Sequence, residues 1–436
     1  MGIHASDATG QTSEERGWFR SMTPRERRTF WGCFGGWAVD AMDVQIYSLV
    51  IPVLLSVHFL ADRSEAGLIG TVTLLSSALG GWLAGALSDR LGRVRVLQLT
   101  ILWFSFFTLL CGFAQDGTQL LVFRALMGFG FGGEWVAGAV LMGETVRAQF
   151  RGRAVGSVQS GWAVGWGLAV LLSVLTEQLF APEMAWRVLF GLGVLPALLV
   201  LYIRRHVTEP PLLRAEAGAA GPPGDAAAEA AGTKAGFLAI FAPPQLPVTV
   251  LCALVGVGAQ GGYYAVTTWL PQFLAAERGL SILARGGTLA LVIVGAFCGY
   301  LFGAWLSDRL GRRWAIVLCA VCSLAIVIPY TTGGLPGPLF TALCFPLGFF
   351  SASYFGGLGA LFTEQFPTAL RGSGQGFAYN FGRGVGAVFP FLVGVLADAL
   401  SIGFAIALFA GAAYAVMAVA ALLLPETRGQ QLIEAA

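Results

Sequence analysis

Charged residues are scarce in this chain, and their scarcity excludes most soluble folds. Asp, Glu, Lys and Arg make up 11% of its 436 residues, whereas a soluble globular protein carries roughly 25%. The charges are missing from long apolar stretches, which reach the ~20 residues that a helix needs to cross a bilayer. Twelve such stretches are centred near Leu49, Leu75, Phe106, Gly133, Val170, Leu195, Val257, Ile293, Ala325, Phe350, Phe391 and Phe409. The composition therefore predicts an all-α membrane protein with twelve transmembrane helices.

Sequence signals of catalysis, metal binding and secretion are absent as well. The three histidines, His4, His58 and His206, form no metal-binding pair, and the chain has no phosphate-cradling loop for ATP. Cys319 and Cys322 have redox or zinc spacing, but they fall inside an apolar stretch, where we interpret them as packing thiols. Residues 1–28 are polar, with five arginines and no apolar signal-peptide core. We expect no enzymatic activity, no metal and no organic cofactor.

A repeat is the strongest feature that the sequence does contain. The heptapeptide Leu-Ser-Asp-Arg-Leu-Gly-Arg occurs at Leu87–Arg93 and again, 219 residues later, at Leu306–Arg312. A second repeat, at an offset of 220, matches Glu144 and Arg151 with Glu364 and Arg371. Because each half holds an even number of spans, both copies lie on the same side of the membrane, as in parallel repeats. We predict two six-helix bundles related by duplication.

The distribution of basic residues predicts the orientation in the membrane. Cytoplasmic loops are enriched in Lys and Arg, and an inside N-terminus places 20 of the 26 basic residues on the cytoplasmic side. The Ala-, Gly- and Pro-rich tract Ala215–Gly236 cannot bury a core and is interpreted as a flexible linker. The expected organisation is a cytoplasmic arm (1–28), a first bundle (29–204), a cytoplasmic linker (205–246), a second bundle (247–424) and a cytoplasmic tail (425–436). We expect a multi-pass protein of a bacterial inner membrane.

Several motifs resemble those of the major facilitator superfamily. Gly81–Arg93 is similar to the signature of that family between spans 2 and 3, and Gly299–Arg313 is similar to its weaker second copy. Arg124–Glu134 resembles the fourth-span motif, and Pro425–Gly429 is similar to the tail of sugar and organic-ion porters. The paired aspartates in Asp40–Asp43 resemble those of aromatic-acid and sialate/lactate proton symporters.

This resemblance implies a secondary active transporter. It favours proton-coupled symport of a small organic anion by alternating access, the anion being a monocarboxylate, a sialic-acid-like compound or an aromatic acid. A proton-coupled sugar or polyol porter, a drug or metabolite exporter, and a non-transporting membrane receptor are the alternatives. The coupling ion is then a proton. We expect a monomer in the lipid bilayer that binds no nucleic acid.

Four buried charges are candidates for proton coupling: Asp40, Asp43, Glu134 and Arg124. The i,i+3 spacing of Asp40 and Asp43 places them on one helix face. Two close carboxylates resist simultaneous ionisation, so one of them can exchange a proton near neutral pH. Glu134 lies near the middle of span 4, and Arg124 resembles the arginine of that span that the family links to proton movement. The alternatives are fixed ion pairs for the acids and interfacial snorkelling for Arg124.

Arg383 is the candidate for substrate recognition. It lies deep in span 11 with no acidic residue on its own helix face, which suits bidentate binding of a substrate carboxylate. The alternative is an ion pair with Asp40, Asp43 or Glu134. Polar and aromatic groups at similar depth extend the candidate site, although each could simply pack: Asn380, Gln260, Tyr263, Tyr264, Gln159 and Trp162.

The repeated polar segments predict a cytoplasmic gate. Its candidate residues are Asp89, Arg90, Arg93, Glu144 and Arg151 in the first half and Asp308, Arg309, Arg312, Glu364 and Arg371 in the second. Asp89 can bind a helix N-terminus or an arginine, and the Glu and Arg pairs supply opposite charges. We interpret the set as a latch that is intact when the protein faces outward. The same charges would also anchor the topology.

Overall fold

The computed structural model of the protein describes Phe19 and residues 21–146, 154, 156–207, 238–367 and 370–428, and most of these residues are in helices. These residues contain no β-strand. The helices are α1 (Pro24–Ser56), α2 (Arg63–Leu91), α3 (Arg93–Cys111), α4 (Gly117–Thr145), α5 (Gly161–Leu179), α6 (Pro182–Leu192), α7 (Ala197–His206), α8 (Leu246–Ala276), α9 (Ile282–Leu310), α10 (Arg312–Thr332), α11 (Gly337–Glu364), α12 (Arg371–Gly386), α13 (Phe389–Ala399) and α14 (Ile402–Leu423). The predicted linker falls largely outside these residues.

The helices supply the predicted set of membrane spans. Eleven segments of the described chain are long and apolar enough to cross a membrane, and α4, with 29 residues, is long enough to be the twelfth. Two spans consist of two consecutive helices: Pro182–His206 contains α6 and α7, and Ser373–Ala399 contains most of α12 and all of α13. The prediction of an all-α membrane protein with twelve spans is confirmed.

Both copies of the heptapeptide lie at the same kind of helix junction. Gly92 separates α2 from α3 with a φ of 98°, and Gly311 separates α9 from α10 with a φ of 103°. A residue with a Cβ rarely adopts such a positive φ, so glycine lets one helix follow another after a single residue. We call the side that carries these two junctions the repeat face and the opposite side the distal face.

The duplication is visible in how closely the helices pack. A methyl group built on Gly80 of α2 would lie 1.8 Å from the carbonyl oxygen of Phe129 in α4. The equivalent pair in the second half is Gly299 of α9 and Phe349 of α11, where the distance is 2.2 Å. These positions are offset by the same 219 and 220 residues as the sequence repeats. Helix association in lipid relies on such small-residue contacts. The close packing of α2 on α4 therefore depends on Gly80, and that of α9 on α11 depends on Gly299.

Replacing Gly299 by Ala should destabilise the second half. The added methyl group would collide with backbone, which can yield only if the two helices move apart, and overpacking of this kind costs about 1–3 kcal/mol. We expect Gly299→Ala to lower the unfolding temperature in detergent, measured by intrinsic fluorescence. Gly287→Ala is the matched control on the same helix, because nothing lies within 4 Å of its added methyl group. Equal unfolding temperatures for the two variants would contradict the close packing.

Candidate functional site

The two halves hold each other's helix ends at the distal face. The carboxylate of Asp398, at the end of α13, accepts hydrogen bonds from the backbone nitrogens of Arg63 (3.3 Å) and Ser64 (3.0 Å) at the start of α2. In return, the guanidinium of Arg63 donates to the carbonyl oxygen of Ala397 at 2.5 Å. The first N–H groups and the last C=O groups of a helix have no partner within the helix. Each half therefore satisfies a helix end of the other.

A buried ion pair makes a second connection between the halves. Glu177 of α5 pairs with Arg285 of α9, and both side chains are only 9% exposed. Ser173 Oγ donates to the same carboxylate at 2.7 Å. Closer to the centre, Thr71 Oγ1 of α2 donates to the carbonyl oxygen of Ala387 at 2.6 Å. Together with the helix-end contacts, these interactions close the distal side of the protein.

Two narrow cavities lie between the halves on the other side of this closure. The central cavity is lined by Trp37, Gln159, Trp162, Gln260, Tyr263, Tyr264, Tyr300, Phe355, Tyr379 and Arg383. The distal cavity, nearer the distal face, is lined by Val44, Gln45, Tyr47, Ser48, Gly70, Thr73, Leu74, Arg124, Trp162, Tyr263, Tyr264, Thr267 and Thr268. Both halves contribute to each lining.

Three aromatic residues belong to both linings and separate the cavities. Two of them, Trp162 of α5 and Tyr263 of α8, come from opposite halves, and Trp162 Nε1 donates to the Tyr263 hydroxyl at 2.5 Å. The third is Tyr264. Further rings surround this pair, with Trp37 4.9 Å from Trp162 and Phe355 5.4 Å from Tyr263 between centroids. The centre of the molecule is thus an aromatic enclosure in which Trp162 and Tyr263 form a hydrogen bond between the halves.

Arg383 is the cation of the central cavity. It is 2% exposed, and its guanidinium carbon lies 5.0 Å from the ring centroid of Phe131 in the first half and 5.7 Å from that of Tyr379. The guanidinium also lies close to the Tyr264 hydroxyl and interacts electrostatically with Asp40. Its Nε has no hydrogen-bond partner among the described residues. The cavity therefore retains a buried charged donor, which a carboxylate would satisfy.

The two aspartates of α1 interact with different arginines. Asp40 is fully buried and within electrostatic reach of Arg383 in the second half. Asp43, 1% exposed, lies inside the first half, where its Oδ2 accepts from Thr108 Oγ1 at 3.0 Å. Its backbone carbonyl accepts from Arg124 Nη1 at 3.4 Å, and the charges of the two residues also interact. The pair therefore faces two environments, one between the halves and one within the first.

The structure brings most of the predicted substrate-binding residues together. The central cavity is lined by six of them: Arg383, Gln260, Tyr263, Tyr264, Gln159 and Trp162. Asn380 is the exception, because its Nδ2 donates to the carbonyl oxygen of Gly376 on its own helix at 3.0 Å and it lines neither cavity. Among the predicted proton-coupling residues, Glu134 lies on α4, but its side chain is outside the described residues.

The predicted cytoplasmic gate is described in the second half only. The side chains of Asp89, Arg90, Arg93, Glu144, Arg151 and Arg371 lie outside the described residues. Arg312 binds the Glu364 carboxylate through Nη2 (2.9 Å) and Nε (3.1 Å) and the Asp308 carboxylate through Nη1 (2.7 Å). Thr427 Oγ1 adds a hydrogen bond to Glu364 at 2.7 Å, while Arg309 is exposed. These contacts join α9, α10, α11 and the tail within one half, so a latch between the halves stays a prediction.

Two groups of residues at this site were not predicted from the sequence. The first is aromatic and completes the central cavity: Trp37, Tyr300, Phe355 and Tyr379. These residues carry no charge, and their spacing in the sequence is the same as that of aromatic residues that pack in a core. The second is the pair Glu177 and Arg285. Both lie near span ends, where a charge is ordinary, and their separation of 108 positions along the chain leaves no local signal of their contact.

Comparison with known proteins extends over nearly the whole chain. The family model described as Major Facilitator Superfamily matches residues 33–390 and 288–435. The "Probable 4-methylmuconolactone transporter" of Cupriavidus pinatubonensis is 40% identical over 415 residues, which are 94% of this chain and 93% of that protein. The "Cis,cis-muconate transport protein" of Acinetobacter baylyi is 31% identical over 376 residues, covering 86% and 88% of the two chains. The xylose transporter XylE from E. coli, in a partially occluded inward open conformation, superimposes with a TM-score of 0.73 at 17% identity, over 94% of this chain and all of that one. At that identity the likeness shows the fold alone.

The Glu177–Arg285 pair predicts how the distal side can be opened. Glu177→Gln leaves a buried guanidinium unpaired, and breaking a buried pair in this way costs about 3–5 kcal/mol. We expect the halves to separate at the distal face. Pulsed electron paramagnetic resonance would measure the distance between two spin labels attached at Leu179→Cys and Leu283→Cys in a cysteine-free background. Both leucines are exposed, at 73% and 68%. The distance should lengthen.

The exchanged pair, Glu177→Arg with Arg285→Glu, is the control for that measurement. It restores opposite charges at the same two positions and should return the short distance. An unchanged distance distribution in Glu177→Gln would show that the ion pair does not hold the distal side closed.

Proposed function

The chain belongs to the major facilitator superfamily, and from that premise we propose that it is a proton-coupled symporter of a small organic anion. It is a multi-pass membrane transporter of a small molecule and not an enzyme. The proposal adds the chemical class of the cargo, the coupling ion and a cycle of alternating access. A single observation carries it, namely the buried guanidinium of Arg383 in an aromatic cavity between the halves.

The chemistry of this cavity favours a carboxylate on an apolar or conjugated body. Charge-assisted hydrogen bonds from a guanidinium are the strong, directional means of binding a carboxylate. The surrounding rings offer flat apolar surfaces for the remainder of the cargo. Two relatives carry names that fit, since muconate is an unsaturated dicarboxylate and 4-methylmuconolactone is a carboxylated lactone. A sugar would use many neutral hydrogen-bonding groups and would leave the cation unpaired.

Asp40 is the proposed site of proton coupling at the cavity. A cargo carboxylate and the Asp40 carboxylate would compete for the same guanidinium, because Asp40 lies within electrostatic reach of Arg383. Protonation of Asp40 removes that competition and leaves Arg383 available to the cargo. Asp43, with its own arginine in the first half, is the second candidate. In this scheme the cargo binds better when the proton is bound, as symport requires.

The repeat face is proposed to be the cytoplasmic one. The sequence assigns 20 of the 26 basic residues to the side of the membrane that holds the two heptapeptide copies, as the positive-inside rule requires. The interactions between the halves at the distal face then close the outer side, so that the structure corresponds to the state that faces the cytoplasm. Release of Glu177 from Arg285 and of Asp398 from α2 would accompany the change to the outward-facing state.

Replacement of Arg383 tests the cargo assignment. Arg383→Gln removes the charge, and since a hydrogen bond to a charged group contributes about 1.5–3 kcal/mol, we expect kcat/KM for uptake to fall about 10- to 100-fold. Uptake would be measured in proteoliposomes for cis,cis-muconate, 4-methylmuconolactone and benzoate, with xylose as a neutral compound. Arg278→Gln is the control, because Arg278 packs on Phe340 and lines neither cavity. Xylose transport without carboxylate transport would contradict the proposal.

Replacement of Asp40 tests the coupling. Asp40→Asn mimics a permanently protonated side chain, so we expect exchange of labelled for unlabelled cargo to continue. Accumulation of cargo driven by a more acidic outside solution should be lost. Asp43→Asn and the double variant would be measured in the same way. Uptake by the wild type should rise with external acidity. If all three variants accumulated cargo as well as the wild type, neither aspartate would be the proton carrier.

A further inference from the structure

We propose that the central and distal cavities are the two ends of one elongated site, which takes a cargo with an anionic or carbonyl acceptor at each end. The Trp162–Tyr263 pair closes this site in the middle when it is empty. The inference rests on the proposed function and narrows its cargo from organic anions in general to dicarboxylates and carboxylates with a second carbonyl group.

Each cavity has a buried glutamine whose amide nitrogen is unused. Gln260 lines the central cavity and is 2% exposed, and Gln45 lines the distal cavity and is 1% exposed. Neither Nε2 atom has a hydrogen-bond partner among the residues that the structure describes. A buried donor without an acceptor is costly, and proteins nearly always satisfy such groups. Both ends therefore present donors, which calls for an acceptor at each end of the ligand.

Each cavity also has one arginine. Arg383 lines the central cavity and Arg124, 1% exposed, lines the distal one. The Nε atoms of both lack a hydrogen-bond partner among the described residues. A carboxylate can accept from an arginine and an amide at once through its two oxygens. The second cavity thus repeats the donor chemistry of the first, although the arginines lie on α4 and α12 and are not copies of each other.

The wall between the cavities consists of groups that can be turned towards a ligand. Trp162 belongs to the first half and Tyr263 to the second, and their mutual hydrogen bond is a direct contact between halves. The indole N–H and the hydroxyl oxygen that accepts it would be released together if Trp162 changed rotamer or the halves shifted. A flat conjugated body could then lie between the rings, where offset or edge contacts with aromatic groups are favourable.

The distance between the ends suits a short chain. Along α8, Gln260 lines the central cavity and Thr267 lines the distal one. Seven residues of helix correspond to about 10 Å at 1.5 Å per residue. This separation is comparable to an extended six-carbon dicarboxylate with a hydrogen bond at each end. A monocarboxylate of the same length would reach the central donors and leave the distal ones unsatisfied.

A matched pair of ligands tests the two-ended site. trans,trans-Muconate and sorbate share the same six-carbon diene and one carboxylate, and they differ in whether the other end is a second carboxylate or a methyl group. Binding would be measured by titration calorimetry on the purified full-length protein in lipid nanodiscs. We expect the wild type to bind muconate at least tenfold more tightly than sorbate.

Two matched variants assign the ends. Gln45→Leu should weaken muconate binding about tenfold and leave sorbate binding unchanged, since only muconate reaches the distal cavity. Gln260→Leu should weaken both ligands, because both place a carboxylate in the central cavity. Thermal unfolding of each variant confirms that it is folded, and the ligand comparison on the wild type does not depend on any variant.

The outcomes separate this inference from the proposed function. Equal binding of muconate and sorbate by the wild type overturns the two-ended site and leaves the organic-anion proposal intact. So does a Gln45→Leu variant that weakens both ligands alike or neither. Absence of binding by both ligands, and by cis,cis-muconate and benzoate titrated in the same way, overturns the organic-anion proposal and this inference with it.

Discussion

A cation buried in the middle of the membrane is the constraint on which the rest of this structure depends. A charge at that depth is expensive unless something neutralises or solvates it. Arg383 is surrounded by tyrosines, by a phenylalanine ring of the other half and by the charge of Asp40. None of these completes its hydrogen bonding, since Nε is left without a partner among the described residues. The interface between the halves is thus organised around an interaction that the protein alone does not complete.

Much of the architecture could be predicted because it depends on short-range patterns. Apolar length identifies a span, and the repeated heptapeptide identifies two equivalent halves. The heptapeptide also explains the junction between two helices, because its glycine supplies the positive φ there, at Gly92 and again at Gly311. Buried charges are conspicuous in an apolar chain, and Arg383, Asp40, Asp43 and Arg124 were therefore found by composition alone.

The arrangement within the site was beyond sequence reasoning, for two physical reasons. Spacing assigns Asp40 and Asp43 to one face of α1, but α1, a helix of the first half, also packs against α8 of the second. Neighbouring turns therefore meet different partners: Arg383 for one and Thr108 with Arg124 for the other. Asn380 shows the converse case, because its amide donates to a carbonyl oxygen of its own helix and it lines neither cavity. Contacts such as Glu177 with Arg285 depend on tertiary packing, which no local pattern records.

The exchange of helix ends at the distal face has a practical consequence. The amide hydrogen of Ser64 is held by a carboxylate that lies 334 residues later in the chain and in the other half. Asp398 is exposed, so water can replace it when the halves part. The rate at which that amide exchanges with deuterium then reports how often the distal side opens, and the measurement needs no attached label. Mass spectrometry of the peptide around the start of α2 would follow the conformational equilibrium in the unmodified protein.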